Sequence, residues 1–306
     1  MLTTQHALQR MKADIQLRGL SKSTLRTYPR MTEIFLEQSG RSIGDLDETD
    51  VRRFLGKMIV EKKHSAATVN AYSAAIRFFF AVTLNRTMNY LQIPRMKIPK
   101  TLPDVLTRDE VSELIAQCSN SKHRAMLLTA YGSGLRVSEL VKLKTSDIDS
   151  ASMRVFVRGG KGQKDRFTIL SDSALNSLRD YWRRYRPKSP DGYLFPGSKN
   201  VGHLCADAVA KAIENAHGRT SIGKNITPHT LRHCFATHLL EDGYSLFQIK
   251  EMLGHSSLSS TTVYLHLANT TFGITSPADK LPEKFEDYPG FMANSKRTIC
   301  VCDQPL

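Results

Sequence analysis

Thr227-Pro-His-Thr-Leu-Arg-His-Cys-Phe-Ala-Thr-His-Leu-Leu240 is the stretch on which the reading of the second half of the chain turns. Pro228 suits the first turn of a helix, where its missing N–H is no loss, and Thr227 can cap that turn. His229 and Arg232, three residues apart, then share one helical face. An imidazole beside a guanidinium meets two needs of a phosphate under attack, proton transfer and bidentate neutralisation of charge. His233 and His238 have no required part in that pairing. His229 and His233 also stand four apart, as metal ligands do, but the Glu of a His-Glu-x-x-His helix is missing and no third ligand is evident, so zinc is not expected.

Downstream, a helix should end at Gly254 of Leu253-Gly-His255, leaving His255 at the start of a new segment. Ser259-Ser-Thr-Thr-Val-Tyr264 then carries a tyrosine on a short helix or turn. Taken alone, such a tyrosine reads as packing. With Arg136, Lys161, His229, Arg232 and His255 in the same half of the chain it reads as a nucleophile, because a tyrosine oxygen attacks phosphorus usefully only when other groups neutralise the phosphate and manage its protons.

Upstream, Thr107-Arg-Asp-Glu110 fits a capping box, and a second apolar helix over about Ala125–Tyr131 breaks at Gly132-Ser-Gly134. Arg136 follows that break, ahead of Val137-Ser-Glu-Leu140, which can begin another helix. Met153–Val157 and Arg166–Leu170 read as two strands joined by the turn Arg158-Gly-Gly-Lys-Gly-Gln-Lys-Asp165. Its glycines allow close approach to a phosphate and aim Lys161 or Lys164 into a groove. The spacing of a P-loop is absent and a strand follows, so nucleotide hydrolysis is demoted.

The first hundred residues read as helical: Ser21-Lys-Ser-Thr24, Asp47-Glu-Thr-Asp50 and Ser65 look like helix starts, followed by apolar stripes such as Val69, Tyr72, Ile76, Phe79 and Phe80. Three prolines within Ile93–Pro103 mark an extended basic linker. The expected organisation is a helical DNA-binding domain over 1–92, the linker over 93–104, a catalytic domain over 105–271 and a C-terminal tail over 272–306. A formal net charge of +14, with +9 in residues 1–100 and +7 in residues 151–200, favours a polyanionic partner gripped from two sides. Nucleic acid leads; no apolar run is long enough to span a bilayer and the N-terminus is too polar for a secretory signal, so the cytoplasm is expected. Five scattered cysteines, including Cys300 and Cys302 near the end, argue for reduced thiols rather than a disulfide framework.

With these residues in place, the C-terminal half resembles the tyrosine recombinase (phage integrase) family, especially its Xer-like members. The resemblance rests on Gly132–Leu140, Gly160–Arg166, His229–Leu239, Leu253-Gly-His255 and Val263-Tyr264, in order across roughly residues 105–270. The N-terminal helices are similar to the family's core-binding domain more loosely.

This resemblance implies a mainly α fold with a small antiparallel β-sheet, its two domains closing as a C-shaped clamp on double-stranded DNA. It implies a site-specific recombinase that needs neither cofactor nor metal. Tyr264 would attack the scissile phosphate to form a 3′-phosphotyrosyl link, and Arg136 and Arg232 would hold the non-bridging oxygens. Lys161 would protonate the departing 5′ oxygen, His229 would assist proton transfer at the tyrosine, and His255 would hydrogen-bond the phosphate. A homotetramer on two sites is the working assembly implied, with an accessory protein as a further partner and the 42 residues after Tyr264 as an inter-subunit docking segment. The alternatives are a catalytically inactive DNA-binding relative and a topoisomerase-like nicking-closing enzyme; the separate N-terminal domain favours recombination over relaxation.

Overall fold

The computed structural model describes residues 3–89, 93, 95–98, 102–159, 165–187, 189–198, 201–255 and 257–267. The chain divides into two compact units, Met1–Thr101 and Leu102–Leu306.

Four helices build the first unit: α1 (Thr4–Leu17), α2 (Lys22–Ser39), α3 (Glu48–Val60) and α4 (Ala66–Phe78). Side-chain oxygens of Thr3, Ser21, Asp47 and Ser65 accept from first-turn N–H groups, satisfying donors that a helix start leaves without partners. A π-helical turn, Phe79–Thr83, continues α4 and leaves the consecutive rings of Phe79 and Phe80 both fully buried. Phe35 packs edge-on against Phe54 and Phe80, at centroid distances of 5.2 and 6.4 Å, which joins α2, α3 and α4 in one core.

Asn70 and Arg77, on the flank of α4, tie down the start of the stretch read as linker. Asn70 Nδ2 donates to the Met96 carbonyl while its Oδ1 accepts from the Met96 N–H, both at 2.9 Å. Arg77 donates to the carbonyl of the buried Ile93. Ile93 and Met96 are therefore held as parts of the first unit.

The second unit contains α5 (Arg108–Ala116), α6 (Ser121–Gly132), the single turn α7 (Val137–Leu140), β1 (Ile148–Asp149), β2 (Arg154–Val157), β3 (Arg166–Ile169), α8 (Asp172–Tyr185), α9 (Ala206–His217), α10 (Pro228–Glu241) and α11 (Leu246–Leu253). The expected capping box at Thr107–Glu110, the cap at Thr227 with Pro228 in the first turn, and the left-handed helix stop at Gly254 are all present. The strands form one antiparallel sheet in the order β1-β2-β3, with Val155 opposite Thr168 and Phe156 opposite Phe167. Val155, Val157 and Thr168 face the core; the outer face pairs Phe156 with Phe167 beneath the guanidinium groups of Arg158 and Arg154. Both ends of the hairpin are anchored, Arg158 to Asp147 and the Gly159 N–H to Asp165. Lys161, within the turn, lies outside the described residues, as do Lys164, the tail and its two cysteines. Cys118 and Cys234 are buried free thiols and Cys205 is exposed.

Helix α10 is buried on nearly every side, packing on α6, α9 and α11. Its His238 accepts from the Tyr131 hydroxyl at Nδ1 (2.8 Å) and donates from Nε2 to the Leu106 carbonyl (3.0 Å), while the Leu106 N–H donates to Cys234 Sγ. These bonds fix the chain where it enters the unit. No helix among the described residues is long and apolar enough to cross a membrane.

Gly134 links α6 to the turn before Arg136 with a φ of +59°, and a Cβ there would stand 2.3 Å from a ring carbon of Phe235. Backbone strain and overpacking both act against any side chain at this position. Gly134→Ala is expected to cost about 2–4 kcal/mol of stability in urea unfolding.

Candidate active site

Arg136 stands at the N-cap of α7, where its own backbone N–H donates to Glu139 Oε2 (2.9 Å) and its Nη1 to Oε1 (2.8 Å). From β3, Arg166 meets the same carboxylate with two parallel bonds of 2.9 and 2.7 Å. Arg232, on α10, lies 3.8 Å from it. Glu139 is only 8% exposed. Burial pushes its carboxyl up, but the hydrogen bonds and charges of Arg166 and Arg136 outweigh that and hold it down at about 2.

The C-terminal end of α11 supplies the second set of acceptors. The Leu253 carbonyl accepts from Arg232 Nη2 (2.6 Å) and from Arg136 Nη1 (3.5 Å), and the Met252 carbonyl from Arg166 Nε (2.8 Å). Unpaired carbonyls at a helix end carry partial negative charge, which suits guanidinium groups. Gly134 adds its carbonyl to Arg232 Nη1 at 2.6 Å. Gly254 is required here for space as well as for its φ of +63°, since a Cβ would stand 2.8 Å from Arg166 Cδ. Burial, with the like charge of Arg136, pushes Arg232 down to about 10.

His255 comes directly after that helix stop. Arg232 Nη2 can only donate, so His255 Nε2 accepts from it at 3.1 Å, and the neutral ring's proton sits on Nδ1, facing Thr261 Oγ1 at 3.0 Å. The His255 ring stacks on Tyr264, 12° from parallel with centroids 6.5 Å apart. Tyr264 sits in a 3-10 turn, Thr262–His266, and is 1% exposed. Burial raises its pKa; the nearby charges of Arg232 and Arg136 pull it back down. Its hydroxyl lies 3.3 Å from His233 Nδ1.

Arg136, Arg232, His255 and Tyr264, chosen from sequence, thus meet in one site. His229 does not meet the tyrosine in the same way: it occupies the first turn of α10 and is exposed. Three further residues take part that the sequence alone did not single out, namely Glu139, Arg166 and His233. The one signal for Glu139 is its place three residues after Arg136, the spacing at which a side chain reaches back to a helix start. Among the described residues no three His, Cys, Asp or Glu side chains gather as a metal-ligand set.

Comparisons with known proteins identify the family. Residues 104–271 match the phage integrase family, and residues 7–90 match the phage integrase N-terminal SAM-like domain. The tyrosine recombinase XerA of Pyrococcus furiosus is 39% identical over 262 residues, covering 84% of this chain and 88% of the relative. The tyrosine recombinase XerD of Listeria innocua is 34% identical over 268 residues, covering 82% and 90%. The crystal structure of the site-specific recombinase XerH bound to a palindromic difH substrate superposes with a TM-score of 0.65 at 21% identity, over 87% of this chain and 82% of that one, a likeness of fold. The chain belongs to the phage integrase family. It is a tyrosine-type site-specific DNA recombinase.

Loss of the Glu139 charge is expected to show in stability. The carboxyl's ordinary value is 4.5 and its folded value about 2, so the stabilisation is complete above pH 4.5 and disappears as pH falls toward 2. Glu139→Gln should lose about 3 kcal/mol at pH 7, because it leaves buried guanidinium groups without their counter-charge. In urea titrations from pH 5 to 2.5, the variant should lack the part of the acid slope that this group gives the native protein.

Proposed function

We propose that Tyr264 is the nucleophile of this recombinase and that Arg136 and Arg232 hold the scissile phosphate. The observation that carries this is the convergence of two guanidinium groups, the His255 imidazole and the tyrosine hydroxyl from three separate segments of the second unit. The Tyr264 oxygen attacks phosphorus, a 3′-phosphotyrosyl ester forms, and the bond to the 5′ oxygen breaks. Arg136 and Arg232 neutralise the charge that builds on the non-bridging oxygens, and His255 joins them by exchanging its bond with Thr261 for one to the phosphate. Lys161, carried by the hairpin whose ends are anchored at Arg158 and Gly159, supplies the proton to the leaving oxygen. The free 5′ hydroxyl of the partner strand then attacks the ester, so the energy of the cut bond is kept in the protein–DNA link.

Duplex DNA is bound by the basic excess of both units, in a homotetramer spanning two recombination sites and working in the cytoplasm. The residues after Tyr264 are the candidate segment for docking on the neighbouring subunit, and an accessory protein is a further candidate partner.

A suicide-substrate trap tests the nucleophile. With nicked duplexes carrying the cognate site, the wild-type protein should give an SDS-resistant 3′ adduct in EDTA, whereas Tyr264→Phe should bind the same DNA equally well and give none. An adduct formed by the variant would move the nucleophile elsewhere. Lys161→Ala should slow cleavage on ordinary DNA and recover on a substrate whose 5′ leaving group is a thiolate, which departs without a proton; absence of recovery would shift the acid role to Lys164.

A further inference from the structure

We propose that His233, rather than His229, takes the proton from the Tyr264 hydroxyl as that oxygen attacks phosphorus. This rests on the reading of Tyr264 as the nucleophile and adds a residue to it. His233 Nδ1 lies 3.3 Å from the tyrosine oxygen, with the two rings 5.7 Å apart. Its side chain is half-buried on the second turn of α10, between the buried Arg232 and Cys234, so the helix holds it in place. His229 lies one turn earlier and is exposed. His255 is engaged at both ring nitrogens, with Arg232 and Thr261, and offers Tyr264 a stacked face.

The charged and titratable groups facing His233 are His229 and Arg232 on its own helix and Tyr264 on the segment packed against it. Burial, and then the positive charges of His229 and Arg232, push its pKa down. Both effects favour the neutral ring, which is the form that accepts a proton. In the neutral ring Nε2 carries the hydrogen and Nδ1 the lone pair aimed at the hydroxyl. As the tyrosine O–P bond forms and the P–O5′ bond breaks, the phenolic proton passes to Nδ1 and an imidazolium results. In the return step the imidazolium gives that proton back to the departing tyrosine oxygen.

The test is single-turnover cleavage of nicked suicide duplexes from pH 5 to 9 by the wild-type protein, H233Q and H229Q. Glutamine keeps an acceptor oxygen near the hydroxyl and removes the basicity, which separates proton uptake from positioning. H233Q should form the Tyr264 adduct about 10²-fold more slowly, with unchanged DNA affinity and without the acid limb of the rate profile. H229Q should be slowed yet keep that limb. Replacing Tyr264 by a fluorinated tyrosine whose hydroxyl ionises near neutral pH should restore most of the H233Q rate above that ionisation, a rescue that a purely structural role would not produce. Should H233Q fail to fold, H233N, which also keeps an acceptor and removes the basicity, is read in the same way. H233Q cleaving at the wild-type rate or faster, an acid limb lost in H229Q instead, or absence of rescue would overturn the proposal. The nucleophile assignment fails separately, by an adduct that persists in Tyr264→Phe.

Discussion

A single buried carboxylate lets this site exist. Arg136, Arg166 and Arg232 reach the same few ångströms from α7, β3 and α10, and without Glu139 between them their mutual repulsion in a half-buried setting would oppose folding. Three positive charges and one negative leave an excess of two. A phosphodiester carries one negative charge at rest and two when phosphorus is pentacoordinate, so with the phosphate held as proposed the remaining charge matches the second state better than the first. Stabilisation that grows along the reaction path lowers the barrier; stabilisation present from the start does not.

Neutral acceptors complete what the carboxylate begins. Each of the three guanidinium groups is shared between Glu139 and backbone carbonyls, those of Gly134, Met252 and Leu253. Two of the segments that supply them turn at glycines whose missing Cβ leaves room for Phe235 in one case and Arg166 in the other. The guanidinium planes are thus oriented before any phosphate arrives, and little reorganisation is left for the moment of reaction.

The features legible in the sequence were the local ones. Helix starts at Ser21, Asp47, Ser65, Thr107 and Thr227, the stop at Gly254 and the two longer strands arise from side-chain chemistry within four or five residues, and the structure has them all. Arg136, Arg232, His255 and Tyr264 were legible through their motifs. Glu139, Arg166 and His233 were not, because each acquires its role from a partner about thirty residues away in the chain, Arg166 for Glu139 and Tyr264 for His233. Helical periodicity puts His229 and His233 one turn apart on related faces. It does not say that Tyr264, in the turn Thr262–His266, meets the second turn at His233 while His229 in the first is exposed. The anchoring of Met96 by Asn70 was hidden for the same reason, and β1 because a strand of two residues is too short to show an alternating pattern.

With Tyr264 as the proposed nucleophile, its depth governs the fate of the strand once it is cut. An aryl phosphate ester is open to attack by any hydroxyl, and water is by far the most abundant. At 1% exposure the tyrosine ring is packed against His233 and His255 rather than bathed in solvent. An ester formed on that oxygen is shielded from hydrolysis, so its lifetime is set by the arrival of a DNA end. A severed strand in this protein's keeping is therefore biased toward rejoining over remaining a permanent break.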